Sequence, residues 1–187
     1  MRKETLYDDF VYVVHDFLTP EECKEFIRIG EAMGFGDAPI TTNQGPQFRF
    51  DVRNNSRVMK DDPGLANQLW TRAKPWIVSP WRGCKAIGIN ERFRFYRYES
   101  GQTFKPHYDG AFARDNGERS QYTFLIYLNE GFEGGETRFF HPDVFDVIPK
   151  TGSLLLFYHP QLHEGAVIKS GTKYVLRSDV MYLKNDD

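Results

Sequence analysis

The chain has 187 residues, with 24 Lys and Arg against 26 Asp and Glu and a formal net charge of -2. A chain of this length buries roughly 70% of its unfolded surface in one core, and the near-neutral balance excludes a field strong enough to hold nucleic acid or anionic lipid over the whole surface. Aromatics at 16% with charged residues at 27% argue against disorder and for a sheet-rich interior, while two cysteines, Cys23 and Cys84, are too few for a disulfide framework or a four-thiolate zinc site.

No stretch approaches the roughly 18 apolar residues of a spanning helix, and Met1 to Asp9 has no signal-peptide pattern, so a cytoplasmic protein without a membrane partner is expected. No repeat or linker divides the chain, so residues 1–187 are expected to form one domain, with helical and loop support over 1–85 and a β core over 86–184.

The run Phe10 to Phe17 carries His15, read as a structural histidine. Thr19-Pro20-Glu21-Glu22 reads as a capping box opening a helix to about Met33. Residues 34–60 are polar and weakly patterned, a long loop with at most one strand, and Phe48 to Arg57 within it reads as a solvated basic loop. Asp62-Pro63 opens a second helix through Leu65, Leu69 and Trp70 that Pro75 should stop.

From Ile87 the texture becomes short β-type runs: 87–98, 104–108, 121–129, 137–140, 144–148, 153–158, 164–168 and 173–183. They leave no room for crossover helices, so the expected class is mainly β, a sandwich or jelly roll, with the helices packed outside. Alternation over Arg92 to Tyr98 puts Arg92, Arg94, Tyr96 and Tyr98 on one face and Phe93 and Phe95 on the other.

His107-Tyr108-Asp109 offers two metal ligands on one side of a strand, and His163 begins a later run that could lie beside it. Two His and one carboxylate leave coordination positions open, a set suited to non-haem Fe(II). His141-Pro142-Asp143 is stiffened by its proline, and Pro160 opposes a helical pairing of His159 with His163, so His141 and His159 are not read as ligands. Lys173 lies ten residues past His163, and alternation puts it on one face with Val175 and Arg177. Cations pointing into a roll call for an anion. The far carboxylate of a metal-chelating 2-oxoglutarate would meet Lys173 or Arg177 together with Tyr98 or Tyr127.

The segments Tyr98 to Asp109, Tyr122 to Thr137 with its Gly134-Gly135, and Gly152 to Lys173 resemble the prolyl 4-hydroxylase-like branch of the 2-oxoglutarate- and Fe(II)-dependent dioxygenases. The resemblance covers about Asn90 to Leu183 and implies a double-stranded β-helix, a cupin-like jelly roll. It implies that His107, Asp109 and His163 bind iron and carry catalysis, and that Lys173 holds the distal carboxylate of 2-oxoglutarate. Tyr98, Tyr127 and Thr137 would line the same pocket, with Arg177 sharing the carboxylate or binding substrate. The cofactors implied are Fe(II), 2-oxoglutarate and O₂, with ascorbate as reductant. The reaction implied is hydroxylation of an unactivated C–H with release of succinate and CO₂. A prolyl residue of a protein or peptide is the first substrate reading, and Arg53, Arg94 and Tyr96 are candidate contacts to it. A free amino acid or other small metabolite is the second. A non-catalytic jelly-roll binding module is a third, and nucleic-acid demethylation is disfavoured by charge and motif spacing.

Overall fold

The structure, a computed structural model, describes residues 1–42 and 44–185. An N-terminal hairpin, β1 (Arg2–Tyr7) and β2 (Val11–His15), precedes α1 (Pro20–Met33). The capping box is present: the Glu22 amide donates to the Thr19 hydroxyl and the Thr19 amide to the Glu22 carboxylate, an arrangement worth about 1 kcal/mol. Then come β3 (Gly36–Asp37), β4 (Ile40–Thr42), β5 (Gly45–Gln47) and β6 (Ser56–Asp61). Asp62 caps α2 (Pro63–Ala73), which tightens into a 3-10 turn around Pro75, at Lys74–Trp76.

The β region opens with β7 (Cys84–Ile89), β8 (Arg92–Tyr98), β9 (Phe104–His107) and β10 (Arg119–Tyr127). It continues through β11 (Glu133–Gly134), β12 (Thr137–Phe139), β13 (Phe145–Val147) and β14 (Leu154–Tyr158). β15 (His163–Gly165), β16 (Ile168–Ser170) and β17 (Lys173–Lys184) complete it.

The major sheet runs β1-β2-β14-β10-β17-β8-β6-β3, with β7 also on β17, and the minor sheet runs β13-β12-β15-β9. Two facing antiparallel sheets give the expected jelly roll, and the helices lie outside it. Strand alternation sorts two cores. Tyr12, Phe93, Phe95, Tyr122, Phe124, Leu154, Leu156 and Leu176 face the helices, whereas Tyr96, Tyr98, Tyr127, Leu155, Phe157 and Val175 face the minor sheet. Among the described residues no helix is long and apolar enough to cross a membrane.

Four expectations change. The stretch 34–60 holds four strands, and β6 pairs with β8 from Ser56 to Asp61. Its outer half is exposed, so no apolar alternation marks it. The N-terminal support is likewise partly β, since β2 pairs with β14 inside the major sheet. The run 87–98 breaks at Asn90, whose side-chain oxygen accepts the Arg92 amide, and the run at 164–168 divides into β15 and β16.

Candidate metal centre

The centre forms where β15 pairs with β9. His163 stands opposite His107 in register, with ring centroids 4.3 Å apart. Asp109 lies just past the end of β9 rather than on it, and still turns inward. Its Oδ1 is 3.8 Å from His107 Nε2 and its Oδ2 is 3.8 Å from His163 Nε2. The three ligand atoms lie within 4.8 Å of one another, a grouping that could hold one metal ion.

Nδ1 of His107 lies 2.8 Å from the Lys105 carbonyl, and Nδ1 of His163 lies 2.9 Å from that of Gln161. A carbonyl only accepts, so Nδ1 carries the proton in each ring and Nε2 keeps its lone pair toward Asp109. Burial pushes both imidazoles below their ordinary value, His107 to about 3 with His163 assisting, so both are neutral at pH 7. Burial by itself would raise Asp109, but Arg177, His163 and His107 hold it well below the usual carboxylate range. The donor set therefore stands in the protonation state a divalent ion requires, and its two nitrogens and one carboxylate fit Fe(II).

A second layer fixes the carboxylate. The Thr123 hydroxyl donates to Asp109 Oδ2 at 2.5 Å and lies 3.1 Å from His159 Nδ1, while His159 Nε2 is 2.9 Å from the Ser120 hydroxyl. Arg177 Nη2 is 3.1 Å from Asp109 Oδ2 and 3.2 Å from Asp179 Oδ1, and Arg94 donates to the other oxygen of Asp179. Phe104 stacks on His107 with centroids 3.5 Å apart, and the Phe157 ring meets His163 edge-on.

Tyr98, Thr137, Lys173, Val175 and Arg177 line one cavity with the triad. Lys173 on β17 stands opposite Tyr98 on β8, with its Nζ 5.4 Å from the rings of both Tyr98 and Tyr127. Tyr127 reaches the cavity through Thr137, their hydroxyls 2.7 Å apart. The ammonium donates to the Gly135 carbonyl at 2.6 Å. A Cβ on Gly135, at φ +71, would come 2.4 Å from Ile168, so this close approach needs glycine. Among the described residues no carboxylate lies within ion-pair distance of Lys173. Burial draws its pKa down to about 7, against a raising contribution from Glu136. The cavity thus offers a metal-ligand set at one end and an uncompensated cation at the other.

Arg177, four residues along β17 from Lys173, lines the same cavity and is engaged by Asp109 and Asp179. Arg94 likewise pairs with Asp179. Arg53, Arg94 and Tyr96 do line an adjoining cleft of about 530 Å³, together with Arg57, His107, Asp109 and Arg177. The fields of Arg177, Arg53 and Arg94 overcome burial and lower Tyr96 to about 8. His141 lies against Tyr7, and His15 bonds Glu4. His159 lies outside the triad, against the Thr123 and Ser120 hydroxyls, a link the sequence does not show. Alternation on β10 signals Thr123, which shares a face with Leu125 and Tyr127, and alternation on β17 puts Asp179 in the row of Arg177.

Residues 93–178 match the family model of the 2OG-Fe(II) oxygenase superfamily. The chain is 29% identical over 137 residues to prolyl 4-hydroxylase 1 of Arabidopsis thaliana, covering 69% of this chain and 46% of that protein. It spans about half the length of the plant relatives it matches. A viral collagen prolyl hydroxylase from Paramecium Bursaria Chlorella virus-1, solved with 2OG, shares its fold at a TM-score of 0.67 and 22% identity, covering 92% of this chain and 96% of that one. A Trichoplax adhaerens prolyl hydroxylase, solved with a hypoxia inducible factor oxygen degradation domain peptide fragment, aligns at a TM-score of 0.70 and 15% identity, covering 95% and 84%. Over the matched segment the chain is similar to the 2OG-Fe(II) oxygenase superfamily, its sequence relatives are prolyl 4-hydroxylases, and it carries a His-Asp-His set that could hold a metal ion.

Proposed function

We propose that this chain is a 2-oxoglutarate- and Fe(II)-dependent dioxygenase that hydroxylates a prolyl residue of a protein or peptide, with release of succinate and CO₂. The observation that carries the reading is the pairing, within one cavity, of the His107, Asp109 and His163 set with the buried, anion-free Lys173. The family requires Fe(II), 2-oxoglutarate and O₂.

His107 and His163 would present Nε2, and Asp109 a carboxylate oxygen, to the iron. The bound iron supplies the activation of O₂ and of the substrate C–H. Lys173 would hold the distal carboxylate of 2-oxoglutarate by a charge-assisted hydrogen bond, with Tyr98, Tyr127 and Thr137 shaping that end. Phe157, Leu125 and Val175 exclude water, which strengthens each of these contacts. Arg177 and Thr123 keep the Asp109 carboxylate in place, and Arg53, Arg94 and Tyr96 border the cleft where the second substrate would enter.

The peptide reading is supported by the prolyl 4-hydroxylases it resembles and by the open cleft beside the triad. The two free cysteines, Cys23 and Cys84, support a reducing compartment, the cytoplasm. The test incubates the protein with Fe(II), 2-oxoglutarate, O₂ and ascorbate and measures succinate, then examines proline-containing peptides by mass spectrometry. Iron-dependent succinate and a gain of one oxygen on proline are expected. No iron-dependent succinate would end the oxygenase reading, and succinate without oxygen on any peptide would end the peptidyl one.

A further inference from the structure

We propose that the second substrate presents a carboxylate, gripped by Arg53 and Arg57 in the cleft beside the triad. This rests on the oxygenase reading above and names the substrate chemistry of the same site.

Four arginines line the cleft, Arg53, Arg57, Arg94 and Arg177, and the only acid among its lining residues is Asp109. Asp109 belongs to the metal set, and the one carboxylate behind it, Asp179, is already shared by Arg94 and Arg177. Arg53 and Arg57 are left over. Among the described residues neither has a carboxylate within ion-pair distance.

Arg53 is only 5% exposed. Its guanidinium is held between the rings of Tyr96 and Phe104, at 4.6 and 4.5 Å from their centroids, and its Nε donates to Asn55 at 2.7 Å. Its Nη2 is buried without a partner. An unmet buried donor costs about 1–3 kcal/mol, more when charged, so a rigidly sandwiched guanidinium with a spare N–H is a site built for an acceptor. Phe104 also stacks on His107, which fixes the guanidinium relative to the metal ligands. Arg57 is half-buried; burial lowers its pKa, and Arg53, Arg94 and Arg177 lower it further, against a raising contribution from Tyr96.

A neutral carbonyl would satisfy the spare N–H but leave the mutual repulsion of the arginines. An anion relieves both, and a planar carboxylate matches the fork of a guanidinium. That carboxylate can belong to a free amino acid or to a peptide.

The test compares matched probes on wild type, Arg57→Gln and Arg57→Lys. N-acetyl-L-proline is set against its amide, and a Pro-Glu peptide against the Pro-Gln peptide of the same sequence. Binding to the metal-free protein is read by ligand-observed NMR, and succinate release with Fe(II) and 2-oxoglutarate is read in parallel. Wild type should bind the carboxylate member about tenfold more tightly, Arg57→Lys should keep part of that preference and Arg57→Gln should lose it. Preference confined to the acetylproline pair identifies a small-molecule source, and preference in the peptide pair a peptide one; both support the carboxylate. Equal binding of both members of each pair, or binding of neither, would overturn it. Absence of succinate from wild type would instead strike the oxygenase reading, because the NMR preference does not depend on turnover.

Discussion

Arg177 Nη2 sits 3.1 Å from Asp109 Oδ2 and 3.2 Å from Asp179 Oδ1, so one buried guanidinium ties the carboxylate of the triad to a second acid that is only 1% exposed. The charge that alternation places in the roll is therefore spent on holding the metal ligand. Its removal should cost more than an ordinary surface ion pair, because Asp109 and Asp179 lose the guanidinium they share.

Arg177→Gln should lower folding stability by about 3 kcal/mol, as expected when one member of a buried pair is deleted. Urea denaturation of the metal-free proteins at pH 7 measures it. A loss under about 1 kcal/mol, the range of exposed pairs, would show that solvent reaches the pair.

His107→Ala, Asp109→Ala and His163→Ala should each reduce iron-dependent succinate formation to background while the circular dichroism spectrum stays that of wild type. The three side chains meet at the end of two short strands, outside the apolar clusters that hold the fold. Succinate at the wild-type rate in any one of them would remove that residue from the metal set.

Thr123→Val should weaken binding of Co(II), a spectroscopic stand-in for Fe(II), by about tenfold, and Thr123→Ser should restore it. The hydroxyl is what donates to Asp109 and meets His159, and valine keeps the shape while deleting the donor. Titration followed by visible absorption distinguishes the three proteins, and equal affinities would reduce Thr123 to packing.

Lys173 links 2-oxoglutarate binding to pH. Burial holds the free ammonium down to about 7, and a bound carboxylate raises it, so binding at pH 8 should take up a proton while binding at pH 6 should take up almost none. Calorimetry in buffers of different ionisation enthalpy measures the uptake. The stability sign follows from the same shift. The folded pKa lies below the unfolded one, so the unfolded chain binds more protons between about 7 and 10.4, and this residue's contribution to stability rises with pH across that window. Lys173→Met should therefore stabilise the ligand-free protein most below pH 7, with the gain vanishing above about 10.4. In the same variant 2-oxoglutarate affinity should fall by about tenfold or more, the loss of a hydrogen bond to a charged group.

The sequence by itself determined the β class, the two capped helices, the paired histidines with their aspartate, and Lys173. Those features are written in local rules: a capping box needs four consecutive residues, and a period of two decides which side chains share a face. Alternation on β17 correctly put Lys173, Val175 and Arg177 in one row. It was silent on distance along that row, so Lys173 and Arg177 could be read as sharing one anion. Only the tertiary structure decided that Arg177 turns to Asp109 and Asp179, because that choice depends on where β9 ends and on the loop beyond it. Strand β6, second from the edge of the major sheet, was equally illegible, since a half-exposed strand needs no apolar alternation to pair through its backbone. Arg53 read as a candidate substrate contact on a polar loop, with no sign of its neighbours; folding buried it between Tyr96 and Phe104, residues 43 and 51 positions further along the chain. Period and spacing are properties of neighbours in sequence, while the partner of a buried charge is set by whichever strands the sheet brings beside it.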